Sequence, residues 1–156
     1  MRPLPALGTL VLMAACAPRN IEGTKVPDTK ENRVIADLVE RYRVAVERRD
    51  VDALREMMSR RYFENAGTTA NPDDDYGYDQ FLTNVLPLLQ NDVKSVQFYI
   101  YLQRIAFQGD RAMAEYEYYY KFYYVDGGKD RWAAKNDFAR LEFVLEDGVW
   151  RIVGGM

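Results

Sequence analysis

The chain contains no histidine at all among its 156 residues. That absence removes the commonest general base, every Ser-His-Asp arrangement and the usual zinc ligand together. A single cysteine, Cys16, excludes an internal disulfide. Basic residues do not outnumber acidic ones: 21 Lys and Arg stand against 24 Asp and Glu. A nucleic-acid partner, which wants a basic face, is therefore not indicated. The apolar stretch at 4–15 is also too short to span a bilayer as a helix, which takes roughly 20 residues.

What is present near the start carries a different meaning. Met1-Arg2 opens on a positive charge, an apolar run follows, and Ala14-Ala15 precede Cys16. A basic start, a short apolar centre and a small-residue cleavage site read as a secretory signal. Leu12-Met13-Ala14-Ala15-Cys16 resembles the lipobox of bacterial lipoproteins, with Met13 where leucine is more usual. The resemblance implies cleavage before Cys16, lipidation of its thiol and acylation of the new N-terminus. It also implies a place in the bacterial envelope, at the outer membrane, since Ala17 rather than Asp follows the cysteine. Residues 1–15 are thus read as signal peptide and 16–31, polar and without periodicity, as a lipidated tether. The remainder, 32–156, is one domain, large enough to bury a core unaided.

Within the domain the hydrophobic period changes once. Val34, Ile35, Leu38, Val39, Tyr42 and Val46 recur at helical steps, and Asp50 is placed to cap a second helix bearing Leu54 and Met57. A third helix is expected from Tyr76 to about Leu89, with Asp73, Asp74 and Asp75 capping it and Pro87 kinking or ending it. From Val96 onward the period is two. One face of the strand 112–125 carries Tyr116, Tyr118, Tyr120 and Phe122; the other carries Glu115, Glu117, Tyr119, Lys121 and Tyr123. Asp126-Gly127-Gly128 and Glu146-Asp147-Gly148 are hairpin signals. Helices followed by an antiparallel meander make the class α+β. Leu38, Leu54, Phe81, Ile100, Leu141, Phe143 and Trp150 are the expected core.

Two stretches then resemble the NTF2-like superfamily, which includes SnoaL-like polyketide cyclases and ketosteroid isomerases. The first is 38–54, LVERYRVAVERRDVDAL, a long helix running through an Asp-apolar-Asp-Ala-Leu junction into a second. The second is FARLEF at 138–143 followed by DGVWRI at 147–152, which is similar to the closing hairpin of that fold. The resemblance covers about 32–153 and implies three helices on a strongly curved antiparallel sheet, forming a cone. Isomerases of this fold use a helix-one tyrosine and two carboxyl groups. Tyr42 matches the tyrosine. Counting places the base position at Ala66 and the second carboxyl near Arg140, with Glu64 the nearest carboxylate and expected to point elsewhere.

These readings make Tyr42, Tyr116, Tyr118, Tyr120, Asp137 and Arg140 the pocket candidates, and Cys16 the lipidation site. No catalytic set, metal site or cofactor is assigned; the aspartates at 73–75 lack the glycine and closing glutamate of a calcium loop. The expected function is an envelope-anchored domain that binds a small apolar ligand or an envelope partner without catalysis. Two alternatives stay open: an enzyme of the cyclase, hydratase or isomerase type, and a structural or assembly lipoprotein. Expected partners are the membrane through the anchor, an apolar ligand, an envelope protein, or a second copy through the sheet.

Overall fold

The computed structural model describes residues 19–65 and 75–156. Cys16, Ala66, Asp73 and Asp74 therefore lie outside the described residues. Helix α1 (Lys30–Arg48) starts where Thr29 accepts a hydrogen bond from the Asn32 N–H at 3.1 Å. Its buried stripe is Ile35, Leu38, Val39, Tyr42 and Ala45; Val34, expected on that stripe, is exposed. Arg49 closes the helix in the left-handed region at φ 56°, and its guanidinium donates to the Val93 carbonyl at 2.6 Å. Asp50 then caps α2 (Val51–Met57) through the Ala53 N–H.

A two-residue ladder follows, β1 (Phe63–Glu64) with β2 (Tyr76–Gly77). Beyond it the third helix is composite. A single turn, α3 (Tyr78–Gln80), passes through a π-helical stretch, Phe81–Val85, into α4 (Leu86–Asn91). The cap differs from the expected aspartates: Gln80 Oε1 accepts from the Gly77 N–H at 2.7 Å. Pro87 sits in the first turn of α4 rather than ending the helix. It has no N–H to donate to the preceding turn, and widening that turn to a π stretch relieves the clash of its ring with the carbonyl four residues back.

The main sheet is an antiparallel meander in the order β3 (Val93–Gln108), β4 (Arg111–Asp126), β5 (Lys129–Glu146), β6 (Val149–Gly154). Its inner face carries Phe98, Leu102, Ala114, Tyr116, Leu141, Phe143 and Ile152 against the helices. Between Leu102 and Arg104 the register slips by one residue. Such a bulge bends its strand and increases local twist, which helps the sheet curve around the helices. Helix α1 is stitched to β3 by Arg43, donating to the Phe98 carbonyl at 3.0 Å, and by Glu47, accepting from the Phe98 N–H at 3.0 Å. Of the expected core, Leu38, Leu54, Phe81, Leu141 and Phe143 are buried, while Ile100 and Trp150 are half-buried.

Packing against the domain also begins earlier than the expected domain start. Residues 19–28, read from sequence as tether, turn back on themselves, with Asn20 bridging Pro27. Val26 is fully buried in the core, and the Lys25 N–H donates to the Leu102 carbonyl on the free edge of β3. Val26 and the half-buried Ile21 pack this polar segment against the core, and the Pro27 carbonyl accepts from Asn32 Nδ2 at 2.8 Å at the start of α1.

Candidate functional site

Four tyrosines from four parts of the chain converge inside the cone. Tyr42 comes from α1, Tyr62 from the segment after α2, Tyr76 from β2 and Tyr116 from β4. Burial pushes the hydroxyls of all four above the ordinary tyrosine value, and the charge of Glu64 adds to the effect at each. They are therefore neutral hydrogen-bond donors at any physiological pH.

Glu64 is the carboxylate they share. The β1–β2 ladder sets its backbone opposite Tyr76. Its Oε2 accepts from the Gly155 N–H at 2.8 Å and lies 3.5 Å from the Tyr62 hydroxyl. That hydroxyl in turn accepts from the Met156 N–H at 3.2 Å. Gly155 is required in this contact: its φ is +88°, and a Cβ there would meet the Arg140 carbonyl oxygen at 2.0 Å. The expectation that Glu64 points elsewhere is thus corrected. It turns inward because the end of β6 supplies a donor from a segment 91 residues away.

Two openings flank this cluster. One is an apolar cleft of about 310 Å³ between α1, the helical segment 78–91 and strands β3 and β4. Val46, Val85, Leu89, Val96, Phe98 and Phe122 line it, with Tyr42 and Tyr120 as its phenols. The other is a more polar hollow of about 600 Å³, bordered by Glu64, Asn65, Tyr118, Arg140, Glu142 and Gly155 among others. An aromatic file along β4 joins the two. Tyr116 and Tyr118 have ring centroids 6.2 Å apart, Tyr118 stacks on Tyr120 at 5.8 Å, and Tyr120 meets Phe122 at 5.0 Å. Phe98 packs against both Tyr42 and Tyr118, so the file is braced from α1 and β3.

The pocket candidates divide accordingly. Tyr42 and Tyr116 are buried in the cluster, Tyr118 borders the hollow and Tyr120 borders the cleft. Asp137 does not enter the cone. It is exposed and paired with Lys135 at 2.8 Å, which holds its carboxyl below the ordinary range. It shares the inner-face register with Tyr118 but lies beyond the helices that cover the sheet. Arg140 stands on the outer register of β5, pairs with Glu142 at 3.0 Å and reaches the hollow only at its rim. Counting along the chain named Glu64 only as the carboxylate nearest the base position, and it did not name Tyr62 or Tyr76. The one local signal was the alternation of Tyr62 and Glu64 around exposed Phe63, which marks a short strand with one inward face.

The sequence model of the SnoaL-like domain matches residues 28–154. No curated protein sequence matches the chain significantly. Among solved structures, a conserved protein from Planctomyces limnophilus aligns with TM-score 0.64 at 17% identity, over 80% of this chain and 92% of that one. An NTF2-like superfamily protein from Salmonella enterica serovar Typhimurium aligns with TM-score 0.62 at 15% identity, over 79% and 86%. A type 2 hexachlorocyclohexane dehydrochlorinase aligns with TM-score 0.60 at 18% identity, over 80% and 82%. At these identities the likeness is one of fold.

Proposed function

The chain belongs to the SnoaL-like domain family, with the NTF2-like fold, and from that premise we propose that it is a lipid-anchored envelope protein whose domain binds a small apolar molecule carrying one polar group. The observation that carries this reading is the cleft. Its wall is almost wholly apolar, and Tyr42 presents a neutral phenol at its inner side. Pockets of this kind take their affinity from apolar burial and their orientation from a few polar groups. The molecule would lie along Val96, Phe98 and Phe122, with its polar group directed to Tyr42. Anchoring through Cys16 would hold the binding domain at the outer membrane.

The test is titration of a lipophilic fluorophore into protein carrying Cys16→Ser, free of lipid chains. Saturable binding is expected. Tyr42→Phe should weaken it by about 2- to 10-fold, the worth of one hydrogen bond. Leu89→Glu should abolish it by setting a charge in the cleft wall. Binding that does not saturate, or that ignores Leu89→Glu in a folded protein, would refute the reading.

One observation favours a second reading, an enzyme of the isomerase, hydratase or cyclase type. Glu64 is a carboxylate held by a backbone N–H beside neutral phenols. A base with adjacent donors is the minimum for removing a proton next to a carbonyl and stabilising the resulting oxyanion. Here Glu64 would take the proton and Tyr42 or Tyr116 would donate to the oxygen. Turnover of a ketosteroid panel that vanishes in Glu64→Gln would select this reading over binding alone.

A further inference from the structure

The charges around the polar hollow do not cancel. Two pairs at its rim are neutral within themselves: Arg140 stands 3.0 Å from Glu142, and Lys135 stands 2.8 Å from Asp137. Glu64 has no such counter-charge. Among the described residues no Lys or Arg pairs with it, and its Oε2 is held by neutral groups, the Gly155 N–H at 2.8 Å and the Tyr62 hydroxyl at 3.5 Å. The phenols packed behind it stay neutral as well, since burial raises them. The hollow therefore carries one net negative charge, and that charge borders open space. A carboxylate at a partly dry wall without a fixed counter-ion attracts a mobile one. We propose that the hollow binds a small protonated amine, with its ammonium on Glu64 and its apolar body along Tyr118 and Ala139.

The walls choose an organic cation over a metal ion. Calcium takes about six to eight oxygen ligands, usually with several carboxylates among them. Among the described residues no three Asp, Glu, His or Cys side chains gather in a way that could hold a metal. What stands beside Glu64 instead is an aromatic ring. Tyr118 is fixed by stacking on Tyr120 and by the edge of Phe98. Lys135 Nζ already takes the cation's place over that ring, 6.0 Å from its centroid. The ring is left to meet the apolar part of a ligand, and Glu64 to meet its charge. Ala139 is small and leaves space beside the ring. The hollow's volume of about 600 Å³ suits a small molecule.

This site is distinct from the apolar cleft. The two share no lining residue, so an amine in the hollow does not depend on a ligand in the cleft.

The experiment uses the full chain in neutral detergent, with calorimetric titration of three probes of one shape: benzylamine, protonated at neutral pH, uncharged benzyl alcohol, and anionic benzoate. Saturable binding of benzylamine is expected, at least about tenfold tighter than that of the alcohol, with benzoate weakest. Glu64→Gln should weaken the amine by about tenfold or more, the worth of a hydrogen bond to a charged group, and leave the alcohol unchanged. Tyr118→Leu keeps the contacts of Glu64 and should weaken amine and alcohol alike, by about 2- to 10-fold. Added salt should weaken the amine alone. The lipophilic fluorophore at saturation should not displace the amine. If the fluorophore itself fails to bind, the cleft reading falls and the amine result stands. Equal affinity for amine and alcohol would overturn the proposal, as would an unchanged amine affinity in folded Glu64→Gln. Displacement of the amine by the fluorophore would overturn it too, because it would put the amine in the cleft.

Discussion

Ser59 has no exposed surface, yet it carries a hydroxyl, and the partner that makes this tolerable is Glu146. The hydroxyl donates to Oε1 at 2.8 Å and accepts from the Arg61 N–H at 2.9 Å. Arg61 Nε also reaches the same carboxylate oxygen at 2.9 Å, and Arg151 stands 3.7 Å from the other. The bond from Ser59, helped by Arg61, holds the Glu146 carboxyl below its ordinary 4.5. A folded-state value below the unfolded one means that the unfolded chain binds more protons as acid is added. The resulting stabilisation is complete above about pH 4.5 and is lost as pH falls through the lower, folded value. Urea unfolding across that window should show it, and Glu146→Gln should flatten this part of the profile. An unchanged slope in the variant would show that the contact contributes nothing. At this scale the sequence spoke unevenly. Tyr42 was legible because it lies on a helical stripe. Glu64 was not, because its orientation depends on the Gly155 N–H, and no local spacing reports a contact 91 residues away.

Elements show why short pieces hold. Helix α2 has seven residues, about two turns, too few to persist alone in water. Its stability comes from what it buries: Val51, Leu54 and Met57 on one side, with the Asp50 cap at its start. Leu54→Ala should therefore cost about 2–5 kcal/mol, the range for a buried leucine whose cavity cannot fully collapse. Chemical denaturation measures it directly; a loss well under 1 kcal/mol would mean that the site is not packed as described. Helices α1 and α2 and the four strands of the main sheet were readable from period, the Asp50 cap and the two hairpin signals together. The composite third helix was not. Its π stretch lies just before Pro87, and the sequence shows there only a proline expected to kink or end the helix. The bulge between Leu102 and Arg104 was equally hidden, since Gln103 simply continues the alternation. Both irregularities bear on the site: the π stretch and α4 bring Val85 and Leu89 to the cleft, and the bulge bends the strand that carries Phe98.

At the scale of the whole molecule, the packed residues 19–28 change what an anchor at Cys16 would do. A 16-residue tether would let the domain wander. Arg19 already belongs to that packed segment, its carbonyl accepting from the Asp28 N–H at 2.7 Å, and in the sequence only residues 17 and 18 separate it from Cys16. Three Cα–Cα steps of 3.8 Å reach at most about 11 Å. A lipidated Cys16 would thus hold the domain against the membrane surface, close to the lipids from which an apolar ligand would be drawn. Three acyl chains bind stably where one gives only marginal attachment. Cys16→Ser should accordingly shift the protein from the detergent phase to the aqueous phase on phase separation, or leave it unprocessed with its signal attached. Lengthening the link with a Gly-Ser insert between Ala17 and Pro18 should keep the anchor while allowing the domain greater reach. Equal detergent partitioning of the Cys16→Ser and unsubstituted chains, both cleaved, would remove the anchor from this account and leave the cleft to be explained in a freely diffusing protein.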